Sequence, residues 1–207
     1  MFNSIIDSEN ILRDLIGKPS EVAQKKVINF LDSHCQDFIS KSPFLVMSTT
    51  DKDGFCDVSP RGDQAGFVLT LNERYLVIPE RKGNNRVDSL RNILQNPRVG
   101  LLFIIPGLKE TLRVNGKASI IQDEDIMIQM VANGKKPLVG IAVEIEECFI
   151  QCGKALKRSS LWQQESWLND GNLPSAAKIL SAHVNIPGMD ERKMKERLEE
   201  GYIKRLY

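Results

Sequence analysis

The chain has 207 residues, of which 28 are Lys or Arg and 27 are Asp or Glu, so its formal net charge is only +1. This balance argues against wholesale nucleic-acid binding, and the length allows one domain with a substantial core. The longest apolar run, VGLLFIIPGL, is broken by Pro106 and Gly107 and is too short to cross a bilayer. The opening MFNSIIDSEN is acidic where a secretory signal would be basic. We therefore expect a cytoplasmic protein that contacts neither membrane nor nucleic acid.

The four cysteines are scattered along the chain and form no CxxC pair. Cys148 and Cys152 stand four residues apart but have no histidine nearby, a pattern that does not suit zinc. The sequence therefore predicts reduced thiols and no metal site.

Residues 1–41 are predicted to be helical. A first short helix runs from Ile5 to Ile16 and is stopped by Gly17. A second helix begins at Ser20 and is predicted to continue to residue 38, because apolar residues recur at spacings of four, four and three. These residues are Val27, Leu31, Cys35 and Phe38.

The hydrophobic period then changes to that of β-strands. Residues 43–60 predict a hairpin that turns at Asp53-Gly54, and residues 65–80 predict a second hairpin. The run RVGLLFIIPG is nearly all apolar, so we expect a central strand covered on both faces. A last strand is predicted over residues 138–145, with ECFIQC as its continuation or as a further strand.

Short helices are predicted in NNRVDSLRNILQN and DEDIMIQMVANG, and a longer charged helix is predicted over Asp190 to Tyr207. About six mostly antiparallel strands among these helices predict an α+β protein that is mainly β, a small closed barrel with helical decoration. We expect a single domain over residues 1–207, with N-terminal helices in 1–41, the barrel in 43–152 and a helical C-terminal region in 153–207.

The first polar group that suits a ligand is Ser59-Pro60-Arg61-Gly62-Asp63, at the end of a predicted strand. Pro60 and Gly62 restrain the backbone, and the planar guanidinium of Arg61 suits a phosphate. The alternative is a surface turn with an Arg61–Asp63 ion pair. An extracellular adhesion role for Arg-Gly-Asp is set aside, because nothing in the sequence predicts export.

The second polar group opens the helix predicted in NNRVDSLRNILQN. Asn84 or Asn85 is expected to cap the helix, and Arg86 and Ser89 follow close to its first turn. Free backbone amides at such a helix end attract phosphates. The alternative is plain helix capping with a solvated Arg86.

The third polar group lies on the predicted strand TLRVNGKASI. Alternation puts Thr111, Arg113 and Asn115 on one face, about 7 Å apart from one to the next. Such a row suits the rim of a flat heterocycle, and the alternative is an ordinary solvent face.

No catalytic set emerges from the sequence. His34 and His183 lie in predicted helices far from the three polar groups, and no Ser–His–Asp or Cys–His arrangement is apparent. Phosphate-binding features without acid–base groups indicate that a bound cofactor carries the chemistry.

Two long runs, SPFLVMSTTDKDGFCDVSPRGD and GNNRVDSLRNILQNPRVGLLFIIPGLKETLRVNGKASI, resemble the pyridoxamine 5′-phosphate oxidase-like flavoproteins. CFIQCGKALKRSSLW and the ending MDERKMKERLEEGYIKRLY are similar to a bacterial subgroup of that family. The resemblance implies a six-stranded antiparallel split barrel of the FMN-binding type with N- and C-terminal helices. It also implies a homodimer with two FMN molecules, each at the subunit interface.

The resemblance assigns roles to residues of this chain. The FMN phosphate and ribityl chain would be held by Arg61, Asn85, Arg86 and Ser89, and the backbone of Ser59 and Pro60 would pass along the isoalloxazine ring. Asp63 would belong to the same cofactor corner. Further contacts would come from Thr111 and Arg113, on the strand that reaches the flavin, and from Lys154, Arg158 and Trp162 of the partner subunit.

These assignments predict an FMN-dependent oxidoreductase that acts on a small molecule or takes electrons from a reduced nicotinamide, with Phe103 and Trp162 as possible pocket walls. Vitamin B6 oxidation is not predicted, because the chain ends in a charged helix where the oxidase has an arginine-containing strand. Two alternatives stay open at this point: a flavin carrier or sensor without turnover, and the same barrel with another cofactor, such as haem or the deazaflavin F420.

Overall fold

The computed structural model describes residues 2–207, and within them seven strands form one sheet in which every pairing is antiparallel. The strand order across the sheet is β2-β1-β5-β6-β7-β4-β3. The strands are β1 (Phe44–Thr50), β2 (Cys56–Gly62), β3 (Leu69–Thr70), β4 (Tyr75–Pro79), β5 (Arg98–Ile104), β6 (Thr111–Ile121) and β7 (Gly140–Gln151).

Eight α-helices precede, interrupt and follow these strands within residues 2–207. None of them is long and apolar enough to cross a membrane. The helices are α1 (Glu9–Ile16), α2 (Glu21–Lys25), α3 (Ser33–Lys41), α4 (Asp88–Gln95), α5 (Glu124–Met127), α6 (Lys154–Arg158), α7 (Ala176–Val184) and α8 (Glu191–Lys204).

The predicted α+β fold is confirmed: a mainly β, antiparallel split barrel with terminal helices. The sheet has seven strands rather than six, and the second predicted hairpin is formed by β4 and a strand of only two residues, β3. The sheet is also open rather than closed, since no strand pairing joins the edge strands β2 and β3 in the part of the chain that the structure describes. The gap between these edges is the split of the barrel.

The core lies on the inner face of the sheet. Alternate residues of each central strand are buried there, as in β1, where Leu45 and Met47 are fully buried. Phe103 of β5 is also fully buried in this core. The expectation that Phe103 forms a pocket wall is therefore wrong, because the alternation of β5 turns its side chain inward.

The strand β5 was expected to be covered on both faces because its sequence is apolar throughout. Its inner residues are buried, but Leu102 and Ile104 on the outer face are only partly covered. Within one chain the outer face of this central strand therefore has an incomplete cover.

The second predicted helix is wrong in its length. The helical segment ends at Lys25, and a new helix, α3, starts after the cap Asp32. Between them Ile28 pairs its backbone with Cys148 of β7, and the amide of Leu31 donates to the carbonyl of Glu73. These tertiary hydrogen bonds replace the helical ones. Of the four apolar residues spaced for one helix face, Cys35 and Phe38 lie on α3, whereas Val27 and Leu31 lie in the non-helical segment before it.

Candidate functional site

Two ion pairs bridge the split of the barrel. Arg61 of β2 pairs with Glu80, the residue after β4. Asp63, just beyond β2, accepts a hydrogen bond at Oδ2 from Nε of Arg81 over 2.7 Å. The turn with an Arg61–Asp63 pair is therefore not formed, because both residues reach across the split to the segment that follows β4.

A cavity of about 500 Å³ lies at this split. Its walls come from β2, from the segment after β4, and from the start of α4. The volume is in the range of small-molecule sites, which span about 300–1,000 Å³. The cavity brings together five of the residues that the sequence predicts for the cofactor: Ser59, Pro60, Arg61, Arg86 and Ser89.

Arg61 is the most distinctive group in this cavity. Its side chain is 13% exposed, and its Nη1 donates to Glu80. Its Nε is buried and has no hydrogen-bond partner among residues 2–207. A buried N–H without an acceptor costs free energy, about 1–3 kcal/mol, so this atom fits an acceptor oxygen supplied by a ligand.

The start of α4 supplies the second wall of the cavity. The predicted cap by Asn84 or Asn85 is wrong: Val87 occupies the N-cap position, and its side chain makes no capping hydrogen bond. Val87 has a left-handed backbone, with φ 52° and ψ 30°, and Asn85 is also left-handed, with φ 60°. Without a side-chain cap, the first amides of α4 are available to an anion.

Neighbouring strands hold this helix end in place. Nδ2 of Asn92 donates to Oγ1 of Thr49 over 3.0 Å, which ties α4 to β1. The hydroxyl of Ser89 is buried and lies 3.4 Å from Oδ2 of Asp57 on β2. Arg86 is exposed, and its Nε donates to Asp88 over 2.7 Å.

Strand β2 divides its residues between the two faces of the sheet. Asp57, Ser59 and Arg61 oppose the inward residues of β1, whereas Pro60 opposes Val46 on the outer face. Pro60 nevertheless lines the cavity, because β2 is an edge strand.

Thr111 and Arg113 do not line the cavity. The register aligns Pro60 and Arg113 in one row across the sheet, through Val46 and Leu102. Three strand spacings separate them, about 14 Å. The guanidinium of Arg113 lies 5.6 Å from the ring centre of Phe149. Thr111 is buried, unlike the other residues of its predicted polar face.

Lys154, Arg158 and Trp162 lie outside the cavity of their own chain. Lys154 and Arg158 are the first and last residues of the short helix α6. The indole N–H of Trp162 donates to the carbonyl oxygen of Leu108 over 2.8 Å. Their predicted contact with a cofactor in the partner subunit stays a prediction.

The structure adds residues that the sequence did not single out. Glu80, Arg81 and Lys82 follow β4 and line the cavity, and Leu206 lines it from the end of the chain. The run PERKGNNR contained the signal for Arg81 and Lys82, since three basic residues occur within six positions. No local pattern indicated Leu206, because its place at the cavity depends on how α8 packs.

The family model described as pyridoxamine 5′-phosphate oxidase matches residues 31–152, which include every strand of the sheet. The match spans more than half of the chain, and the chain belongs to this family. The sequence matches no curated protein.

Several solved structures are similar in shape. HupZ from Group A Streptococcus shares 15% identity over 58% of this chain and 94% of its own, with a TM-score of 0.49. A putative pyridoxamine 5′-phosphate oxidase from Lactobacillus delbrueckii shares 22% identity over 59% of this chain and 95% of its own, with a TM-score of 0.45. HutZ from Vibrio cholerae, described as a heme storage protein, shares 17% identity over 59% of this chain and 94% of its own, with a TM-score of 0.42. At these values, none of them bears on the function of this chain.

Proposed function

We propose that the cavity at the split binds FMN by its phosphate and that the protein is an FMN-dependent oxidoreductase acting on a small molecule. The observation that carries this proposal is the buried Nε of Arg61, which has no partner within residues 2–207. Arg61 lines the same cavity as the uncapped start of α4. An arginine N–H and helix-terminal amides together form a recurrent phosphate-binding arrangement.

The charges around the cavity support an anionic ligand. Lys82 is exposed and makes no ion pair within the described part of the chain, so its ammonium is free to approach a phosphate. Arg86 lies at the same wall and is 72% exposed in its side chain, although it pairs with Asp88. Arg61, Lys82 and Arg86, together with the hydroxyl of Ser89, are the residues that would hold the phosphate.

When bound, the flavin of FMN supplies the electron-transfer chemistry, which suits a protein in which the sequence reveals no acid–base set. The protein's own residues would bind and orient the cofactor and exclude water from it. The electron donor would be a reduced nicotinamide or a small organic substrate.

We further propose that the protein is a homodimer with FMN at the subunit interface. The incomplete cover of Leu102 and Ile104 on the outer face of β5 supports a second chain there. Lys154, Arg158 and Trp162 of the partner would then contact the cofactor.

The first experiment is a visible absorption spectrum of the purified protein, with the cofactor released by heat and identified by mass. About one FMN per chain supports the proposal, whereas F420 or haem would replace FMN as the cofactor. If reduced flavin is reoxidised by no acceptor faster than by air, the protein is a flavin carrier or sensor and the enzymatic part of the proposal fails.

The second experiment tests the phosphate site by titrating apoprotein with FMN and following flavin fluorescence. We expect Arg61→Ala to raise the Kd about 100-fold, because a charge-assisted hydrogen bond is lost together with the cation. The control is Arg98→Ala, since Arg98 is a 58% exposed residue that pairs with Glu146 outside the cavity. Equal FMN affinities of Arg61→Ala and wild type would overturn the assignment.

A further inference from the structure

The last two residues of the chain lie against the split. Leu206 lines the proposed cofactor cavity. The hydroxyl of Tyr207 donates to Oδ1 of Asp63 over 2.7 Å, and Nζ of Lys135 donates to the carbonyl oxygen of Tyr207 over 2.7 Å. The end of the chain is therefore held at the split by hydrogen bonds to two separate segments.

Polar contacts join Tyr207 to Asp63 and Asp63 to Arg81, and the chain itself joins Arg81 to Glu80 at the phosphate site. The Asp63 side chain is only 1% exposed, and its second oxygen accepts from Nε of Arg81. Nη1 of Arg81 donates to the carbonyl oxygen of Met130 over 2.8 Å, which fixes the guanidinium from the other side. The residue before Arg81 is Glu80, the ion-pair partner of Arg61.

This arrangement restrains Arg61 from a distance. Because Glu80 and Arg81 are consecutive, a displacement of the backbone at Arg81 would shift the carboxylate that holds Nη1 of Arg61. The free Nε of Arg61 depends on the same guanidinium orientation. Tyr207 thus acts on the phosphate site through Asp63, Arg81 and Glu80, without touching Arg61 itself.

We infer that Tyr207 is a positioning residue for phosphate recognition: its hydrogen bond to Asp63 holds the Glu80–Arg81 segment where Arg61 can present Nε to the phosphate of the cofactor. This inference rests on the proposed function, since it assigns Tyr207 to the same FMN site. It is specific for the phosphate end of the ligand, so it makes a different prediction for FMN and for riboflavin, which lacks the phosphate.

The test compares the affinities of apoprotein for FMN and for riboflavin by fluorescence titration. We expect Tyr207→Phe to weaken FMN binding about tenfold, the loss expected for one charge-assisted hydrogen bond, and to leave riboflavin binding unchanged. The matched control is Tyr202→Phe, because Tyr202 lies on α8 in the same region of the chain and is 67% exposed. An equal loss for both ligands, or no loss for FMN, would overturn the inference.

A double-mutant cycle with Arg61→Ala separates the positioning role of Tyr207 from the proposed binding of FMN at the split. If Tyr207 acts through Arg61, Tyr207→Phe has no further effect on FMN affinity once Arg61 is Ala. Additive losses would show that Tyr207 acts by another route and would overturn the inference while leaving the FMN site intact. A wild-type protein that binds no FMN would instead overturn the proposed function, and this inference with it.

The docking of the chain end has a test that needs no cofactor. Trypsin cleaves after Arg205, and intact mass measures the loss of the segment that follows it. We expect Tyr207→Phe to be cleaved several-fold faster than wild type in the apoprotein, because the hydrogen bond to Asp63 holds the chain end down. FMN should slow the cleavage of wild type. Equal cleavage of the two apoproteins, or faster cleavage with FMN, would overturn the inference.

Discussion

At the residue scale, Asp63 is a buried carboxylate whose pKa is set by several opposing influences. Burial raises the pKa of Asp63 and is the largest single influence, but the hydrogen bonds from Tyr207, the backbone of Gln64 and Arg81, together with the charge of Arg81, outweigh it in sum. The pKa of Asp63 therefore lies below its ordinary value of 3.8. The ionised form is the one that these contacts hold, so the network across the split depends on pH.

The sign of this dependence follows from linkage. A carboxyl group whose pKa is depressed in the folded state stabilises the fold above its unfolded-state pKa, and this contribution is lost as the pH falls through the folded-state pKa. We expect Asp63→Asn to lower the free energy of unfolding by about 2 kcal/mol at pH 7. We also expect it to flatten the loss of stability below about pH 4.

Urea denaturation between pH 2 and pH 7 measures both effects. The control is Asp53→Asn, because Asp53 is an exposed residue paired with Lys52 in the first hairpin turn. Asp53→Asn should follow the wild-type curve closely. A variant Asp63→Asn that loses stability with falling pH as steeply as wild type would contradict the assignment of this ionisation to folding.

At the element scale, the start of α4 contains a strained residue. Val87 is β-branched, yet it adopts the left-handed conformation at the N-cap. That conformation costs an ordinary residue about 1–2 kcal/mol. Val87→Gly removes the strain but adds chain entropy to the unfolded state, so we expect a net gain of about 1 kcal/mol in the free energy of unfolding.

The matched control for this prediction is Val131→Gly. The two valines are almost equally exposed, at 45% and 46%, but Val131 has an ordinary φ of −62°. Val131→Gly should therefore destabilise the protein, and thermal or urea unfolding of the two variants should move in opposite directions. If Val87→Gly is as destabilising as Val131→Gly, the start of α4 stores no strain.

At the scale of the whole molecule, the proposed homodimer can be tested at the outer face of the sheet. Leu102 and Ile104 of β5 are only partly covered, and Val58 of β2 is 63% exposed at the rim of the cavity. We expect a mass in solution of twice the 23.3 kDa of one chain. We expect Val58→Asp to give a monomer, because the dimer would bury an unpaired carboxylate.

Light scattering coupled to gel filtration measures both masses. The control is Leu94→Asp, since Leu94 is 77% exposed on α4 rather than on the outer face of β2. It should leave the mass of the dimer unchanged. A wild-type protein of 23.3 kDa would refute the proposed homodimer, and a dimeric Val58→Asp variant would exclude the rim of the cavity as part of the interface.

Much of the fold could be predicted from the sequence, because strand and helix periods are local signals. The alternation in β6 and the hairpin signals around Asp53-Gly54 both correspond to observed elements. The second helix was predicted too long, since the apolar spacing of Val27 and Leu31 fits a helix but the backbone hydrogen bonds there go to β7 and to the turn before β4. The spacing of apolar residues predicts which side chains are buried, but it does not predict the hydrogen-bond partners of their backbone.

The sequence by itself determined the class of fold and named Arg61, Arg86 and Ser89, because a strand end and a helix start are readable from local patterns. Only the tertiary structure decided the partners of Arg61 and Asp63. Asp63 meets Arg81 at a separation of 18 residues and Tyr207 at a separation of 144. Such contacts depend on how the open sheet brings its two edges together and on where α8 leaves the end of the chain, and neither is encoded in a local pattern.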